Sequence, residues 1–316
     1  MKVADLRAKL YPFYKIAMKM LGRPLHLPCD YIGQDAGDQI RLLLESGKPC
    51  MVCRFGSLEL SVAVAYLNQT RLHGFKRLWR LSWGESISWD ATLRHKICNI
   101  AGFFPPEPEQ LVKFAQLLLE DSKQIDILGS WRPEEFRVND HFPEATIIKM
   151  DDLEPYFHAR PWTEALRGRK VLVIHPFTDT IKQQYQKREL LFKNKDVLPD
   201  FELKTITAVQ SLAGNKVEYK TWFDALDYMC GEIDKTDFDI ALIGAGAYGF
   251  PLAAHVKRSG KQAVHLGGIS QLLFGIKGRR WDQHQRYRDL YNDSWCRPNP
   301  QETPSRRDVV EGGSYW

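Results

Sequence analysis

The stretch from Asp239 to Gly268 constrains the fold of this chain more than any other. The apolar run Asp239 to Ile243 passes through Gly244-Ala245-Gly246-Ala247-Tyr248-Gly249 into a helix ended by Arg258 and Gly260. A second apolar run, Ala263 to Leu266, then stops at Gly267-Gly268. Strands this short and apolar are buried on both faces, and a helix joining them through short loops implies a parallel sheet. The same rhythm recurs. A helical pattern from Gln34, with Ile40, Leu43 and Leu44 on one face, ends at Gly47 and leads into the apolar run Cys50 to Phe55. Gly56-Ser57 follows, with Ser57 as a natural N-cap for a helix from Leu58 to Leu67. Val171 to Ile174 ends in His175-Pro176-Phe177-Thr178-Asp179-Thr180. A helix over Ile181 to Phe192 comes next, for which Thr180 and Gln183 offer a capping box. Leu203 to Ala208 reads as a strand and Trp222 to Ile233 as a helix. The fold class is therefore α/β: a mostly parallel, Rossmann-like sheet with helices on both faces, plus a less regular middle insertion.

The expected organisation is a basic lead-in over 1–33, an α/β body over 34–281 and a polar basic tail over 282–316 whose last part is loosely held. The section 72–155 is the irregular insertion, with one helix at Gln110 to Glu120 and apolar runs at Ile125 to Leu128 and Ala145 to Ile148. Composition removes several classes. Hydrophobic residues at 44% against 26% charged exclude whole-chain disorder. The longest nearly apolar stretch, Ile240 to Ala254, is broken by glycines and a proline and falls short of the ~20 residues a membrane span needs. A net charge of +5 from 44 basic and 39 acidic residues makes no nucleic-acid footprint, so no nucleic-acid partner is expected. Six scattered cysteines form no disulfide framework and point to a reducing, cytoplasmic setting. Cys50 and Cys53 have C-x-x-C spacing but lie within one strand, which argues against zinc. The lead-in alternates Leu6, Leu10, Phe13 and Ile16 with Lys2, Arg7, Lys9 and Lys15, the pattern of a helix packed on the body or of a peripheral contact with the inner membrane surface.

The chemistry is expected in the loops that follow strand ends, because a doubly wound sheet binds ligands beyond the carboxyl ends of its strands. Gly244, Gly246 and Gly249 match G-x-G-x-x-G in the required context, so the turn with Ala245 and Tyr248 is a candidate diphosphate cradle. An NAD site also needs a carboxylate at the end of the next strand, and that strand ends Val264-His265-Leu266-Gly267. Arg54-Phe55-Gly56-Ser57-Leu58-Glu59 joins a guanidinium, a glycine turn, a hydroxyl and a first-turn carboxylate. In that station Glu59 can hold Mg²⁺ or Mn²⁺ on a diphosphate while Arg54 neutralises the rest.

Arg54 to Glu59 resembles the R-F-G-D-G-E segment of GT-D-type bacterial glycosyltransferases, and Asp239 to Gly268 resembles their C-terminal strand, glycine turn, helix and strand. The longer run Ile174 to Trp281 is similar to proteins encoded in cell-surface polysaccharide clusters. It includes His175-Pro176-Phe177, Trp222-Phe223-Asp224-Ala225-Leu226 and Gly275-Ile276-Lys277-Gly278. The resemblance implies a nucleotide-sugar donor, a divalent cation (Mn²⁺ or Mg²⁺), a glycan or lipid-linked acceptor, and a cytoplasmic enzyme building capsule, O-antigen or exopolysaccharide. This chain departs from the family at Ser57, where the first acidic residue of the motif stands, so only Glu59 carries over as a metal ligand.

On this reading the donor site comprises Arg54, Gly56, Ser57, Gly244, Ala245, Gly246, Tyr248, His265 and Gly267, and the catalytic candidates are Glu59, His175 and Asp179. Lys277, Arg279 and Arg280 are further phosphate contacts of lower rank, and Trp79, Trp83, Trp89 and Trp131 are either core or a sugar-stacking platform. Two alternatives stay open: an NAD(P)-dependent oxidoreductase of surface-sugar synthesis, and a non-catalytic nucleotide-binding partner in polysaccharide assembly.

Overall fold

The computed structural model describes residues 26–71, 88–310 and 312–316. The helical expectation for the basic lead-in falls outside these residues, apart from its end. Seven strands form one sheet: β1 (Cys50–Cys53), β2 (Ile127–Ser130), β3 (Thr146–Lys149), β4 (Lys170–His175), β5 (Glu202–Thr207), β6 (Ile240–Ile243) and β7 (Gln262–His265). Their order is β3-β2-β1-β7-β6-β4-β5, and every pairing is parallel. The principal helices are α1 (Gln34–Glu45), α2 (Ser57–Arg71), α3 (Ala91–Asn99), α4 (Pro108–Asp121), α5 (Thr178–Tyr185), α6 (Trp222–Lys235) and α7 (Gly249–Arg258).

Strand alternation sorts the core into two layers. Met51, Cys53, Leu172, Ile174, Ala241, Ile243 and Ala263 pack with buried residues of α2, α4, α6 and α7. Cys50, Val52, Val171, Val173, Ile240, Leu242 and Val264 pack with α1, α5 and the C-terminal segment. This is the two-periodicity of a sheet covered on both faces. It also settles the C-x-x-C spacing, because Cys50 and Cys53 face opposite layers, both fully buried. Burial pushes the Cys50 thiol up to about 12 and the Cys53 thiol well above its ordinary value, so both are inert.

Three expectations change. The middle section keeps irregular 3₁₀ connections yet supplies β2 and β3, which lie in the same sheet as the rest. The capping box at Thr180 does not form: α5 begins at Thr178, and the Thr180 hydroxyl instead bonds the Glu302 carboxylate. The tail is tied down. Val310 and Trp316 are buried, Arg279 N–H donates to Trp316 O (3.3 Å), Arg280 N–H donates to Ser314 O (3.0 Å), and Gln271 Nε2 donates to Tyr315 O (3.1 Å). Apolar Val310, Trp295 and Trp316 give the tail a face to bury, which outweighs its polar average.

Candidate functional site

The strand order creates a crevice. β4 and β6 are neighbours, but the chain leaves β4 outward to β5 and leaves β6 inward to β7, so their carboxyl ends part at a topological switch point. There lies a recess lined among others by His175, Phe177, Gly244, Gly246, Tyr315 and Trp316. Of the four loops expected to share one cleft, those after β4, β6 and β7 line this recess together with Tyr315 and Trp316 of the tail, whereas Gly56 and Ser57 after β1 are not in its lining.

The glycines of the turn divide into two kinds. A Cβ on Gly244 would meet Ser270 Oγ at 2.0 Å, His175 Cδ2 at 2.6 Å and Gly267 O at 2.9 Å; a Cβ on Gly249 would meet His265 Nε2 at 2.4 Å. Protein side chains therefore fill the space these two glycines leave. Gly246, at φ +53°, is different: a Cβ there would make only ordinary contacts, with Ala101 O at 3.5 Å and Leu212 Cδ2 at 3.9 Å. Ala247 N–H at the entry to α7 donates to Ala101 O (3.4 Å), which covers part of the helix N-terminus. Tyr248 is not a ligand contact: it is buried, stacks on Trp222 with centroids 4.9 Å apart, and its hydroxyl bonds Ser211 Oγ at 3.0 Å. Ala245 is likewise buried, in the layer of α2 and α7.

His175 ends β4 inside the recess. Burial drives its pKa down to about 3, so it is neutral, and its Nδ1 accepts from Phe177 N–H at 3.0 Å. The remaining proton then sits on Nε2. In that tautomer His175 donates a hydrogen bond to a bound oxygen, and the expected role as a base does not fit. His265 does not reach the recess at all. It is buried on the opposite face of the sheet, beside Gly249, with its pKa lowered to about 3 by burial and by the Arg54 charge, and its Nδ1 has no hydrogen-bond partner among the described residues.

Arg54 leaves β1 half-buried. Its Nε donates to Phe55 O (3.2 Å), and its guanidinium lies 5.1 Å from the centre of the Trp131 ring, whose Nε1 donates to the same carbonyl (3.0 Å). A Cβ on Gly267 would be 3.5 Å from Arg54 Nη1, so the guanidinium stands over the end of β7. Burial lowers its pKa, Tyr315 and Glu59 favour its charge, and Arg280 opposes it. No carboxylate among the described residues lies within the 4.0 Å of an ion pair with Arg54. Two guanidiniums thus share one neighbourhood, and Arg280 Nη1 donates to Tyr315 Oη at 3.0 Å.

At the start of α2, Leu60 N–H donates to Gly56 O (3.0 Å), which makes Gly56 the N-cap and Ser57 the first helical residue. The expected Ser57 cap is corrected accordingly. The Glu59 carboxylate folds back on Gly56, where a Cβ would sit 2.1 Å from Oε2, the position of a capping-box glutamate. Among the described residues no three His, Cys, Asp or Glu side chains gather as a metal site. Glu59 therefore fits a cation that arrives on a diphosphate, since Mg²⁺ is held by one or two carboxylates plus phosphate oxygens, but does not build a closed site. Asp179 is exposed, pairs with Lys182 at 3.3 Å, and lines a second, open groove beside the recess.

Sequence reasoning gave Arg280 low rank, left Trp131 undecided and did not single out Tyr315. Glu135 was also missed. Fully buried, it accepts from Ser130 Oγ and from the Trp131 and Arg132 N–H groups (3.2 Å each), and burial raises its pKa to about 7. It fixes the turn that carries Trp131. No protein family, curated protein or solved structure matches the chain, and no helix among the described residues is long and apolar enough to cross a membrane.

Proposed function

We propose that the chain transfers a sugar from a nucleotide-diphosphate donor to a glycan or lipid-linked acceptor. The observation that carries this reading is Arg54, a half-buried guanidinium at the centre of the carboxyl edge with no ion-paired carboxylate among the described residues and Arg280 as a like-charged neighbour. A cation held this way costs free energy until an anion joins it, and a diphosphate brings oxygens that meet the Arg54 guanidinium fork. The first turn of α2, behind Gly56 and Ser57, adds backbone N–H groups and a partial positive charge.

In the transfer, the acceptor hydroxyl oxygen bonds the anomeric carbon as the bond from that carbon to the diphosphate oxygen breaks. The diphosphate leaves with the electron pair, stabilised by Arg54 and Arg280. The hydroxyl proton passes to a carboxylate, for which Asp179 stands on the groove side of the recess. His175 Nε2–H is available to a substrate oxygen. A divalent cation on Glu59 would supply further charge to the leaving group when bound. The cytoplasmic face of a membrane, met through the basic lead-in, is the setting this reading implies.

The dinucleotide alternative loses its main support, since Gly244 and Gly249 are filled by the protein's own side chains and β7 ends without a carboxylate. The test is release of nucleoside diphosphate from UDP-, GDP- and dTDP-sugars by the purified chain. Slow release with water as acceptor is expected, and its absence with every donor overturns the reading. Release that persists in Glu59→Ala removes Glu59 from the chemistry.

A further inference from the structure

Beside the recess, and sharing Pro176 and Gln210 with it, runs an open groove of about 1080 Å³. Its lining takes in Thr207 at the carboxyl end of β5, Thr178 and Asp179 at the start of α5, Tyr219, Tyr228 of α6, and the carboxylates of Glu218 and Glu302. No lysine or arginine among the described residues lines it. A second phosphorylated group is therefore excluded by charge, in contrast to the Arg54 station.

The carboxylates do not make a cation site either. Glu302 accepts from Asp179 N–H (2.7 Å), from Thr180 N–H and from the Thr180 hydroxyl, and Asp179 pairs with Lys182. Glu302 is held by these donors, Asp179 is exposed in its pair with Lys182, and Glu218, the third carboxylate of the lining, is exposed; among the described residues the three do not gather as a metal site. What remains is a surface of hydroxyls and amides around two aromatic rings. The Thr178 and Thr207 hydroxyls bond each other at 2.8 Å, leaving further lone pairs, and Gln210 and Asn215 also line the groove. Tyr219 and Tyr228 lie with centroids 5.4 Å apart and planes at 33°, and Tyr228 is 46% exposed. An exposed ring pair offers apolar faces beside polar edges.

We infer that this groove binds a neutral carbohydrate segment, whose ring C–H faces lie on Tyr219 and Tyr228 while its hydroxyls meet the Thr178, Thr207 and Gln210 edge. That this segment is the acceptor rests on the transfer reading, and its approach to the recess past Pro176 and Gln210 then delivers a hydroxyl toward Asp179. The binding itself does not depend on that reading.

Saturation-transfer NMR on the full chain tests it, with a panel of neutral hexose and N-acetylhexosamine methyl glycosides at millimolar concentration. Transfer to the ring C–H protons of at least one glycoside is expected. It should fall at least fivefold in Tyr228→Ala, survive in Tyr228→Phe, which keeps the ring, and persist with saturating UDP. No transfer from any glycoside, transfer unchanged in Tyr228→Ala, or an oligolysine peptide displacing the glycoside overturns the inference. A glycoside bound with no nucleotide-sugar bound leaves the groove and removes the transfer reading; nucleotide-sugar bound without any glycoside does the reverse.

Discussion

Replacing Arg54 by lysine separates a ligand-binding guanidinium from a structural one. Among the described residues the Arg54 side chain makes one hydrogen bond, from Nε to Phe55 O, and lies over Trp131 at 5.1 Å. Lysine keeps the charge but loses the fork that meets two phosphate oxygens at once, together with the planar contact on the indole. Losing one charge-assisted hydrogen bond costs about 1.5 to 3 kcal/mol, which weakens nucleotide-diphosphate binding roughly 10- to 150-fold. Stability changes little, by about 1 kcal/mol or less, because only the Phe55 bond and the ring contact are lost from the fold. Calorimetric titration with UDP and a thermal melt on the same preparation read both quantities. A lowered Tm with donor affinity unchanged would refute the reasoning and make Arg54 part of the core.

Donor affinity should rise with Mn²⁺ or Mg²⁺, and Glu59→Gln should remove that increment while leaving metal-free binding; an increment that survives the substitution takes the cation off Glu59. Gly244→Ala forces a methyl group against Ser270, His175 and the Gly267 carbonyl and should cost about 2 to 3 kcal/mol in urea unfolding. Gly246→Ala makes only ordinary contacts and costs mainly what its φ of +53° imposes, about 1 to 2 kcal/mol; equal or reversed losses would contradict the packing described. Glu154, buried beneath the Tyr287 hydroxyl that donates to it at 2.9 Å, has its pKa raised by burial to about 7 against the ordinary 4.5. The folded state holds the extra proton, so the stability Glu154 contributes is present below about pH 4.5 and lost as pH rises toward 7. Between pH 5 and pH 8, Glu154→Gln should gain about 2 to 3 kcal/mol on the wild type in chemical unfolding, and a pH-independent difference would show that Glu154 is ionised throughout.

Local pattern carried most of the fold. β1, β4, β6 and β7 lie where apolar runs of β-branched residues end in glycine or proline, and α4, α6 and α7 where the helical spacing put them, each within a few residues. The site was less legible, for physical reasons. A G-x-G-x-x-G spacing states that three positions lack a Cβ and does not state what occupies the space, which here is Ser270 with His175 at Gly244 and His265 at Gly249. His265 follows a strand as a cofactor residue would, yet strand alternation turns it toward the opposite layer. Tyr315 and Trp316 join the crevice through a tail whose polar composition hides the few apolar residues that pin it. Trp131 reaches Arg54 only because β2 pairs beside β1, a long-range fact that no window of sequence contains.

The central claim is that the crevice at the carboxyl edge takes a nucleotide-sugar through its diphosphate. Titrating the purified chain with UDP-, GDP- and dTDP-sugars and, in parallel, with NAD(H) and NADP(H), read by native mass spectrometry, tests it most directly. The account predicts a one-to-one complex with at least one nucleotide-sugar, lost with Arg54→Lys at matched concentration, and no nicotinamide complex. Tight nicotinamide binding without any nucleotide-sugar bound would contradict it.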